Sequence, residues 1–367
     1  MLLLIALFAC HTPADTAAPV DSGPVEGPFL PPDEEGPWIA GTFEDVAPER
    51  GIELTVQVWY PASEADDDLY TYDGFFEASA RDDGVPDCSA PRPVLVFSHG
   101  NQGVRYQSVY LTEWLARRGW VVVAPDHLGN TFLDYDDDML GEVMFRRPTD
   151  VAAAFDWLAE TAAGPGGPLE GCVDAQAGYA VAGHSFGGFT TMAVAGAAIV
   201  PSETAAYCAQ YGGWLCDEVA AWAAEHPGLE AQLGDPRAWA AVPMAPAGYE
   251  ALRGGLERVA IPALVLGGSR DNITPMAWQV RPIFGGLEST PRYLGELADA
   301  GHYTFSDACD LADTFDDCEP PYLDPAVAHP LIDTVTAAFL GVVQGDERFR
   351  VGLPPEDDLL TWTAEEE

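Results

Sequence analysis

Three runs of almost uninterrupted apolar residues, each followed by a helical pattern, limit the folds open to this chain. They occupy residues 93–97, 120–124 and 179–182, and further runs follow at 241–245, 263–266 and 293–297. A strand is apolar throughout when both of its faces are buried, as in a parallel sheet covered by helices on both sides. The pattern therefore predicts an α/β fold with a mostly parallel central sheet. Helices are predicted over 111–118, 147–160 and 331–343, and two more strands over 42–46 and 54–60.

Composition along the 367 residues predicts how the chain is divided. Nearly half of the residues (48%) are apolar, which is enough for a large core. Residues 1–9 are interpreted as a signal segment, and residues 10–37 as a disordered acidic tether rich in Pro, Ala and Asp. The α/β domain is expected over 38–345, with an insertion at 201–239 that could cap a site. Residues 346–367 are expected to form an acidic tail.

One glycine-rich motif lies directly after the apolar run at 179–182 and before an apolar stretch at 189–200. It reads Gly183-His184-Ser185-Phe186-Gly187-Gly188. Glycines on both sides of a serine remove side chains that would collide at a sharp strand-to-helix turn, and the turn pushes the hydroxyl into the open. Ser185 is therefore predicted to be a catalytic nucleophile. The alternative is an ordinary turn of small residues without chemistry.

A serine hydroxyl is a poor nucleophile unless a base takes its proton and a carboxylate orients that base. Where a nucleophile follows a strand in this way, the usual chain order is serine, acid, histidine. His302 follows the last predicted strand, and Asp271 follows the run at 263–266, so both are expected at carboxyl ends of strands. These two residues are predicted as base and acid, with Asp299 and Asp307 as alternatives for the acid.

Ester hydrolysis also needs two N–H donors to stabilise the negatively charged oxygen of the intermediate, a site called the oxyanion hole. One donor is predicted to be the backbone of Phe186, directly after the serine. The other is expected in the loop after the run at 93–97, where Gly100 and Gly103 let the backbone turn. Asn101 is the predicted donor, with Gln102 as the reserve.

Several motifs together resemble one group of proteins. They are Phe97-Ser98-His99-Gly100, Ala124-Pro125-Asp126-His127, Gly129-Asn130-Thr131, the motif at 183–188, and Gly301-His302-Tyr303-Thr304-Phe305. This combination, spread over about residues 38–345, resembles the bacterial predicted dienelactone hydrolases. Those are related to platelet-activating-factor acetylhydrolases and, more distantly, to cutinase-like polyester hydrolases. The resemblance implies an α/β-hydrolase fold and hydrolysis of carboxylic esters without a cofactor.

The sequence departs from the pattern of this group in two ways. True dienelactone hydrolases have a cysteine nucleophile, whereas this chain has Ser185. The animal acetylhydrolases place the acid after the strand that follows the nucleophile strand, but residues 241–247 contain no carboxylate. The predicted function is therefore a serine esterase acting on short-acyl or polyester-like esters through an acyl-enzyme. A phospholipid acetylhydrolase or lipase is the alternative enzyme, and an inactive surface binding module is the alternative outside enzymes.

The charge of the chain excludes some partners. The formal net charge is −43, and the sequence contains no lysine, so every basic side chain other than histidine is an arginine. A field of this sign repels phosphate backbones and anionic lipid surfaces, so nucleic-acid binding is not expected. The acidic run at 134–138 is interpreted as a solvated loop rather than a calcium site. No cofactor, resident metal or protein partner is expected.

Six cysteines lie within the predicted domain, and an even number in an exported protein indicates disulfides. In the expected fold the strands at 93–97 and 179–182 are neighbours. Cys88 and Cys172 precede them by similar margins and are predicted to pair. The simplest pairing of the others is local. It joins Cys208 to Cys216 and Cys309 to Cys318, with cross-pairing between the two segments as the alternative.

The first ten residues resemble a bacterial lipoprotein signal. An apolar run over 2–9 ends in Ala9-Cys10, where a small residue precedes the cysteine that would be cleaved and lipidated. No basic residue precedes the run, which departs from the usual signal, and an ordinary signal peptide is the alternative. The chain is therefore expected to be exported, as a lipoprotein anchored through Cys10 or as a secreted protein. By analogy with enterobacterial sorting, His11 rather than aspartate after Cys10 favours the outer membrane.

Cys10 should carry a diacylglyceryl group in cells that export the protein. Metabolic labelling with a palmitate analogue should label the wild type and leave a Cys10→Ala variant unlabelled. Wild-type protein that is exported normally without label would contradict the lipoprotein prediction.

Overall fold

The structure is a computed structural model that describes residues 29–49, 51–82, 84–311, 315–353, 355 and 357–366. The predicted signal segment 1–9, the lipidation site Cys10 and most of the predicted tether lie outside these residues. Within the described ranges the chain forms an α/β domain with a mostly parallel central sheet. The predicted fold class is confirmed at this level.

The strands of the described chain alternate with helices along most of its length. The strands are β1 (Ile39–Glu49), β2 (Ile52–Glu64), β3 (Thr71–Tyr72), β4 (Phe76–Glu77), β5 (Val85–Pro86), β6 (Val94–Ser98), β7 (Val121–Pro125), β8 (Tyr179–His184), β9 (Ala238–Met244), β10 (Ala263–Gly268), β11 (Arg292–Leu297) and β12 (Leu360–Glu365). The helices are α1 (Val109–Ala116), α2 (Leu140–Trp157), α3 (Phe186–Val194), α4 (Pro201–Tyr211), α5 (Cys216–Glu225), α6 (Tyr249–Leu252), α7 (Val280–Gly286), α8 (Ala308–Leu311) and α9 (Pro325–Val343). Every strand and helix predicted from the sequence is present, with shifted ends.

The main sheet has the strand order β1-β2-β7-β6-β8-β9-β10-β11-β12, and β5 adds to β2. The strands from β7 to β11 in this order run parallel, whereas β1, β2 and β12 pair antiparallel with their neighbours. Strand β6 lies between β7 and β8, with Val94 opposite both Val121 and Tyr179. The carboxyl ends of the six parallel strands β6 to β11 therefore lie at one edge of the sheet, where the loops that follow them can converge.

The two faces of the sheet carry separate apolar clusters, which explains why the central strands are apolar throughout. On β6, Val94 and Val96 belong to the cluster packed against α2 and α3. The intervening Leu95 and Phe97 belong to the cluster packed against α1 and α9. Successive side chains of a strand point to opposite faces, so a strand buried on both sides needs apolar residues at every position.

Two helices, α2 and α9, begin well before their predicted first residues, and an internal proline explains both differences. The helix predicted from residue 147 begins at Leu140 and contains Pro148 in its interior. The final helix begins at Pro325 rather than 331 and contains Pro330, while Asp324 caps it by accepting from the Ala326 N–H. Proline favours the first turn of a helix, so an internal proline looks like a helix start in the sequence. By length and apolar composition alone α9 could span a membrane, but more than half of it is buried inside the domain.

The domain begins before residue 38, so the predicted boundary of the tether is wrong for its last residues. Phe29 and Leu30 are buried, and the ring of Phe29 lies 5.3 Å from that of Trp120 and 5.0 Å from that of Phe349. The Leu30 N–H donates to the Arg118 carbonyl oxygen. In the sequence these two apolar residues are surrounded by prolines, glycines and acids, a composition that does not indicate burial in the core.

The acidic tail predicted over 346–367 contains an edge strand. Within it β12 pairs antiparallel with β11, and the ring of Trp362 stacks on that of Tyr293 at 5.3 Å. Residues Glu347–Gly352 form a 3-10 helix whose Phe349 is fully buried. Edge strands often carry charged residues because these oppose pairing with other chains, and the acidic flanks therefore obscured a short strand.

All three predicted disulfides are present: Cys88–Cys172, Cys208–Cys216 and Cys309–Cys318. The first joins the segments before β6 and β8, where the Arg92 N–H donates to the Cys172 carbonyl oxygen. The second joins α4 to α5 in the predicted insertion, and the third lies in the loop after His302. The alternative of cross-pairing is wrong in this structure. Disulfides are consistent with an exported protein.

The long disulfide should stabilise the domain more than the short ones. On the chain-entropy model, the 84-residue separation of Cys88 and Cys172 corresponds to about 4 to 5 kcal/mol. The 8-residue separation of Cys208 and Cys216 corresponds to about 2 to 3 kcal/mol. Urea unfolding of the double Cys→Ala variant of each pair, without reductant, should show the larger loss for Cys88/Cys172. Equal losses would contradict this ranking.

Candidate active site

Ser185 lies at a strained turn between β8 and α3, with φ 59° and ψ −115°. A side chain at Gly183 would collide with the Gly187 carbonyl oxygen, and one at Gly187 with the Ser98 carbonyl oxygen. The turn is held from below, because the Ser185 N–H donates to the Met244 carbonyl oxygen at 2.9 Å. The glycines thus permit the backbone approach that the motif predicted, and Ser185 itself is partly exposed.

The residue after Ser185 is the first of helix α3, so its N–H lies at the positive end of the helix. No described residue accepts a hydrogen bond from the Phe186 N–H. The backbone here can therefore donate to a negatively charged oxygen beside Ser185, as predicted for the first donor of an oxyanion hole.

His302 and Asp271 are brought together from the loops after β11 and β10. The His302 Nδ1–H donates to Asp271 Oδ2 at 2.8 Å. The other carboxylate oxygen, Oδ1, accepts from the Ile273 and Thr274 N–H groups at 2.8 and 2.7 Å, and the Thr274 hydroxyl lies 2.7 Å from Oδ2. Burial alone would raise the pKa of Asp271, but the hydrogen bonds and charge of His302 and the bonds from Thr274 lower it below 3.8. The carboxylate is therefore ionised at neutral pH and can orient the imidazole.

The two alternative acids do not face His302. Asp299 is exposed and pairs with Arg270 at 2.6 Å. Asp307 is buried, and its Oδ2 accepts from the Tyr110 N–H at 3.0 Å at the start of α1. Burial raises the pKa of Asp307 well above 3.8. Among the predicted candidates only Asp271 contacts the imidazole of His302.

The predicted base lies next to the predicted nucleophile without a hydrogen bond between them. The ring of His302 lies 4.6 Å from that of His184, the residue before Ser185. No hydrogen bond between the Ser185 hydroxyl and His302 occurs among the described residues. In serine hydrolases such a bond is often long without substrate and tightens in the complex.

The loop after β6 contacts the serine directly, because a Cβ placed on Gly100 would lie 3.4 Å from the Ser185 Cβ. Three of its N–H groups already have acceptors: Gly100 donates to Gln107 Oε1, Gln102 to the Asn130 carbonyl oxygen and Gly103 to the Gly100 carbonyl oxygen. No described residue accepts from the Asn101 N–H. Of the two predicted donors, Asn101 is therefore the one with a free N–H, and Gln102 is not.

A buried arginine that the sequence analysis did not identify holds this loop. The guanidinium of Arg147 donates to the His99 carbonyl oxygen, to Ser98 Oγ at 3.1 Å and to Asn130 Oδ1. The amide of Asn130 in turn donates to Asn101 Oδ1 at 2.7 Å. Burial lowers the pKa of Arg147 to about 9, so it stays protonated at neutral pH. A basic residue on the apolar face of α2, between Val143 and Val151, was the available signal.

Arg147 also contacts the helix that follows the nucleophile. Its Nε donates to Thr190 Oγ1 at 2.9 Å, and its guanidinium lies 4.7 Å from the ring centre of Phe186. One charged group therefore touches both segments that supply the predicted oxyanion donors, the loop at 98–103 and the start of α3.

A second serine, histidine and aspartate array lies beneath the site. The Ser98 hydroxyl donates to His127 Nε2 at 2.9 Å, and His127 Nδ1–H donates to Asp150 Oδ2 at 2.8 Å. Burial lowers the pKa of His127 well below 6.5, so the ring is neutral and can accept from Ser98. All three side chains are fully buried, so no substrate reaches them, and the array supports the loop rather than reacting.

The acidic loop at 134–138 bonds to the backbone just before it in the chain. The carboxylate of Asp134 accepts from the Gly129 and Thr131 N–H groups at 2.7 and 3.0 Å. Among the residues that the structure describes, no group of three or more His, Cys, Asp or Glu side chains is placed to hold a metal ion.

Exposed apolar side chains lie next to these elements at the carboxyl edge of the sheet. The ring of Trp214, from the insertion, lies 4.8 Å from that of Phe186. The Phe132 N–H donates to the Gly103 carbonyl oxygen, which places Phe132 beside the loop at 98–103. Ile273 lies two residues after Asp271 in the acid loop, which here means residues 269–275 after β10. All three side chains are exposed.

No protein-family model matches this chain, and a comparison with curated proteins found no match. The chemistry of the site is therefore inferred from its own geometry. That geometry combines a serine at a strained turn, a histidine–carboxylate pair beside it, and two backbone N–H groups that have no acceptor in the described part of the chain.

The lowered pKa of Asp271 predicts how it affects stability. A carboxyl that binds protons more weakly in the folded than in the unfolded chain stabilises the fold above its unfolded pKa, near 3.8. That contribution is lost as the pH falls through the lower folded value. In urea unfolding, the wild type should therefore lose more stability between about pH 5 and pH 3 than Asp271→Asn does. Equal losses in both proteins would contradict the lowered pKa.

Proposed function

We propose that this protein is a serine hydrolase of carboxylic esters, with Ser185 as nucleophile, His302 as base and Asp271 as the acid that orients it. The observation that carries the proposal is the convergence at one edge of the sheet. There the strained serine turn meets the His302–Asp271 hydrogen bond of 2.8 Å and the free N–H groups of Phe186 and Asn101. These are the components that acyl transfer through a serine requires.

The order of strands supports an α/β-hydrolase fold as part of this proposal. The antiparallel β2 is followed across the sheet by β7, β6, β8, β9, β10 and β11, with the serine after β8. The serine, acid and histidine follow each other along the chain as they do in that fold. The proposal includes membership of the group that the motifs resemble, the bacterial predicted dienelactone hydrolases.

In the proposed acylation step, Ser185 Oγ attacks the ester carbonyl carbon while His302 Nε2 takes the hydroxyl proton. The carbonyl oxygen becomes an oxyanion that accepts from the Phe186 and Asn101 N–H groups. Asp271 stabilises the imidazolium through its bond to Nδ1. The intermediate collapses by breaking the bond to the alcohol oxygen, which receives the proton from His302 and leaves.

Deacylation repeats these steps with water. His302 takes a proton from water as the hydroxide oxygen bonds to the acyl carbon, and the oxyanion hole again accepts the negative charge. Collapse breaks the bond to Ser185 Oγ, which regains its proton from His302, and the carboxylic acid leaves. No cofactor is needed in either step.

The surroundings favour neutral, apolar esters as substrates. Exposed apolar side chains such as Trp214, Phe132 and Ile273 lie beside the proposed oxyanion hole and acid. The net charge of −43 disfavours anionic substrates. Short-acyl or polyester-like esters are therefore proposed. A panel of p-nitrophenyl esters of rising chain length, with a platelet-activating-factor analogue, separates this from the phospholipid acetylhydrolase or lipase alternative.

The proposed setting is outside the cytoplasm, as a lipoprotein anchored through Cys10 or as a secreted enzyme. The three disulfides support export, since such bonds persist in oxidising compartments. The lipid anchor rests on the sequence alone.

Ser185→Ala should abolish hydrolysis of p-nitrophenyl acetate and labelling by a fluorophosphonate probe, with turnover lower by roughly 10⁴-fold or more. The change removes only an oxygen, and the thermal unfolding midpoint should stay close to that of the wild type. Wild-type protein that is folded but neither labelled nor active on any ester of the panel would favour the inactive binding module.

Asp271→Asn should lower turnover by roughly 10³- to 10⁴-fold, because the base would lose its orienting carboxylate. Asp299→Asn is the matched control, since this aspartate is exposed and its carboxylate pairs with Arg270 on the surface. Its turnover should match the wild type. Near-normal turnover of Asp271→Asn would show that another group orients His302.

A further inference from the structure

We infer that Gln107 and His184 form a positioning relay that holds the oxyanion loop and the catalytic base in register. Here the oxyanion loop means residues 98–103 and the base loop means residues 302–307. The inference rests on the proposed function and assigns a role to two residues that take no part in the chemical steps.

The relay is a chain of three hydrogen bonds. The Gly100 N–H, beside the Asn101 donor, donates to Gln107 Oε1 at 2.9 Å. The Gln107 amide nitrogen lies 3.2 Å from His184 Nδ1. On the other side of the ring, His184 Nε2 lies 3.0 Å from the His302 carbonyl oxygen. Gln107, His184 and His302 are buried, so water does not compete for these bonds.

Only one arrangement of protons satisfies all three bonds. The His302 carbonyl oxygen can only accept, so His184 must carry its proton on Nε2. Its Nδ1 is then an acceptor and must face the NH₂ group of the Gln107 amide. The amide oxygen consequently faces Gly100, whose N–H can only donate. The orientation of the amide and the tautomer of the imidazole therefore fix each other.

His184 has to be neutral for this arrangement, and its surroundings keep it so. Burial first, and then the nearby His302, lower the pKa of His184 to about 3. Asp271 and the bond to the His302 carbonyl oxygen act in the opposite direction but are outweighed. The relay therefore stays in one protonation state around neutral pH.

The backbone of the same segment makes a second connection to the base loop. The Asp307 N–H donates to the Gln107 carbonyl oxygen at 2.7 Å. The Tyr110 N–H returns a bond to Asp307 Oδ2 at 3.0 Å. Residues 107–110 therefore bond the base loop through the main chain, while the Gln107 side chain bonds the oxyanion loop.

The relay matters because the two loops are otherwise carried by different strands. The oxyanion loop follows β6, and the base loop follows β11, with β8, β9 and β10 between them in the sheet. Small displacements of donors or base relative to the reacting carbon reduce turnover strongly. His184 is the last residue of β8 and immediately precedes Ser185, so the relay also passes beside the nucleophile.

Histidine NMR tests the relay independently of any enzymatic activity. In ¹⁵N-labelled wild type, with the resonance assigned through His184→Phe, His184 should be the neutral Nε2–H tautomer from about pH 5 to pH 8. In Gln107→Met, which keeps the length of the side chain but has no amide, His184 Nδ1 loses its donor, so its ¹⁵N resonance should shift, while the His302 carbonyl oxygen keeps the proton on Nε2. An Nδ1–H tautomer in the wild type, or a His184 signal unaffected by Gln107→Met, would overturn the relay.

Kinetics test whether the relay positions the site. For p-nitrophenyl acetate, Gln107→Met should lower kcat roughly tenfold or more while KM changes less than about threefold, because the oxyanion donors act mainly in the transition state. Gln344→Met, at an exposed glutamine after α9, is the matched control and should keep wild-type kcat. A role in stability alone would lower the unfolding midpoint and leave kcat of the folded enzyme unchanged, which would refute the inference.

A second variant gives a signature that a purely structural role does not. Gln107→Glu keeps an acceptor for Gly100, but its carboxylate faces the unprotonated His184 Nδ1 and can bond it only when one of the two groups binds a proton. The ratio of its kcat to that of the wild type should therefore rise as the pH is lowered. A ratio independent of pH would count against the relay. Wild-type protein without esterase activity would instead contradict the proposed function, and the NMR result would still decide whether the relay exists.

Discussion

The candidate site depends on the hydrogen bonds of Arg147, a charged side chain buried below the serine turn. Its guanidinium has partners on Ser98, His99 and Asn130 and on α3 through Thr190. A buried cation is tolerated only when its N–H groups are bonded, so the surrounding loops must adopt the conformations that supply acceptors. Satisfying this one group therefore fixes the backbone from which the predicted oxyanion donors project.

Hydrogen bonds between buried polar groups also connect the other loops at the carboxyl edge of the sheet. Each loop there bonds to a loop from another strand: the oxyanion loop to the segment at 127–131, and the acid loop to His302 through Asp271. Neutral buried imidazoles, His127 and His184, connect these loops because each ring donates on one side and accepts on the other. Among the described residues, no acceptor faces the N–H groups of Asn101 and Phe186, the two predicted oxyanion donors.

Much of the fold followed from local pattern. The apolar runs predicted the central strands because burial on both faces demands an apolar residue at every position. The first and last segments of the domain were harder to predict from the sequence. Phe29 and Leu30 lie within a stretch that reads as a tether, and β12 lies within an acidic tail. Both segments dock on a surface formed elsewhere in the chain, so their own composition does not reveal it.

By itself, the sequence determined the serine turn, since only glycines at 183 and 187 allow its backbone geometry, and the chain order that nominated Asp271 and His302. It also predicted the Cys88–Cys172 pair, because parallel neighbouring strands bring these residues to the same end of the sheet, but it left open the pairing of the other four cysteines. Only the tertiary structure showed that the Gln102 N–H already has an acceptor, and only it brought Arg147, Asn130 and Gln107 to the oxyanion loop. These choices rest on hydrogen bonds between residues far apart in the chain. Such bonds depend on strand order and loop conformation, which no local spacing of residues encodes.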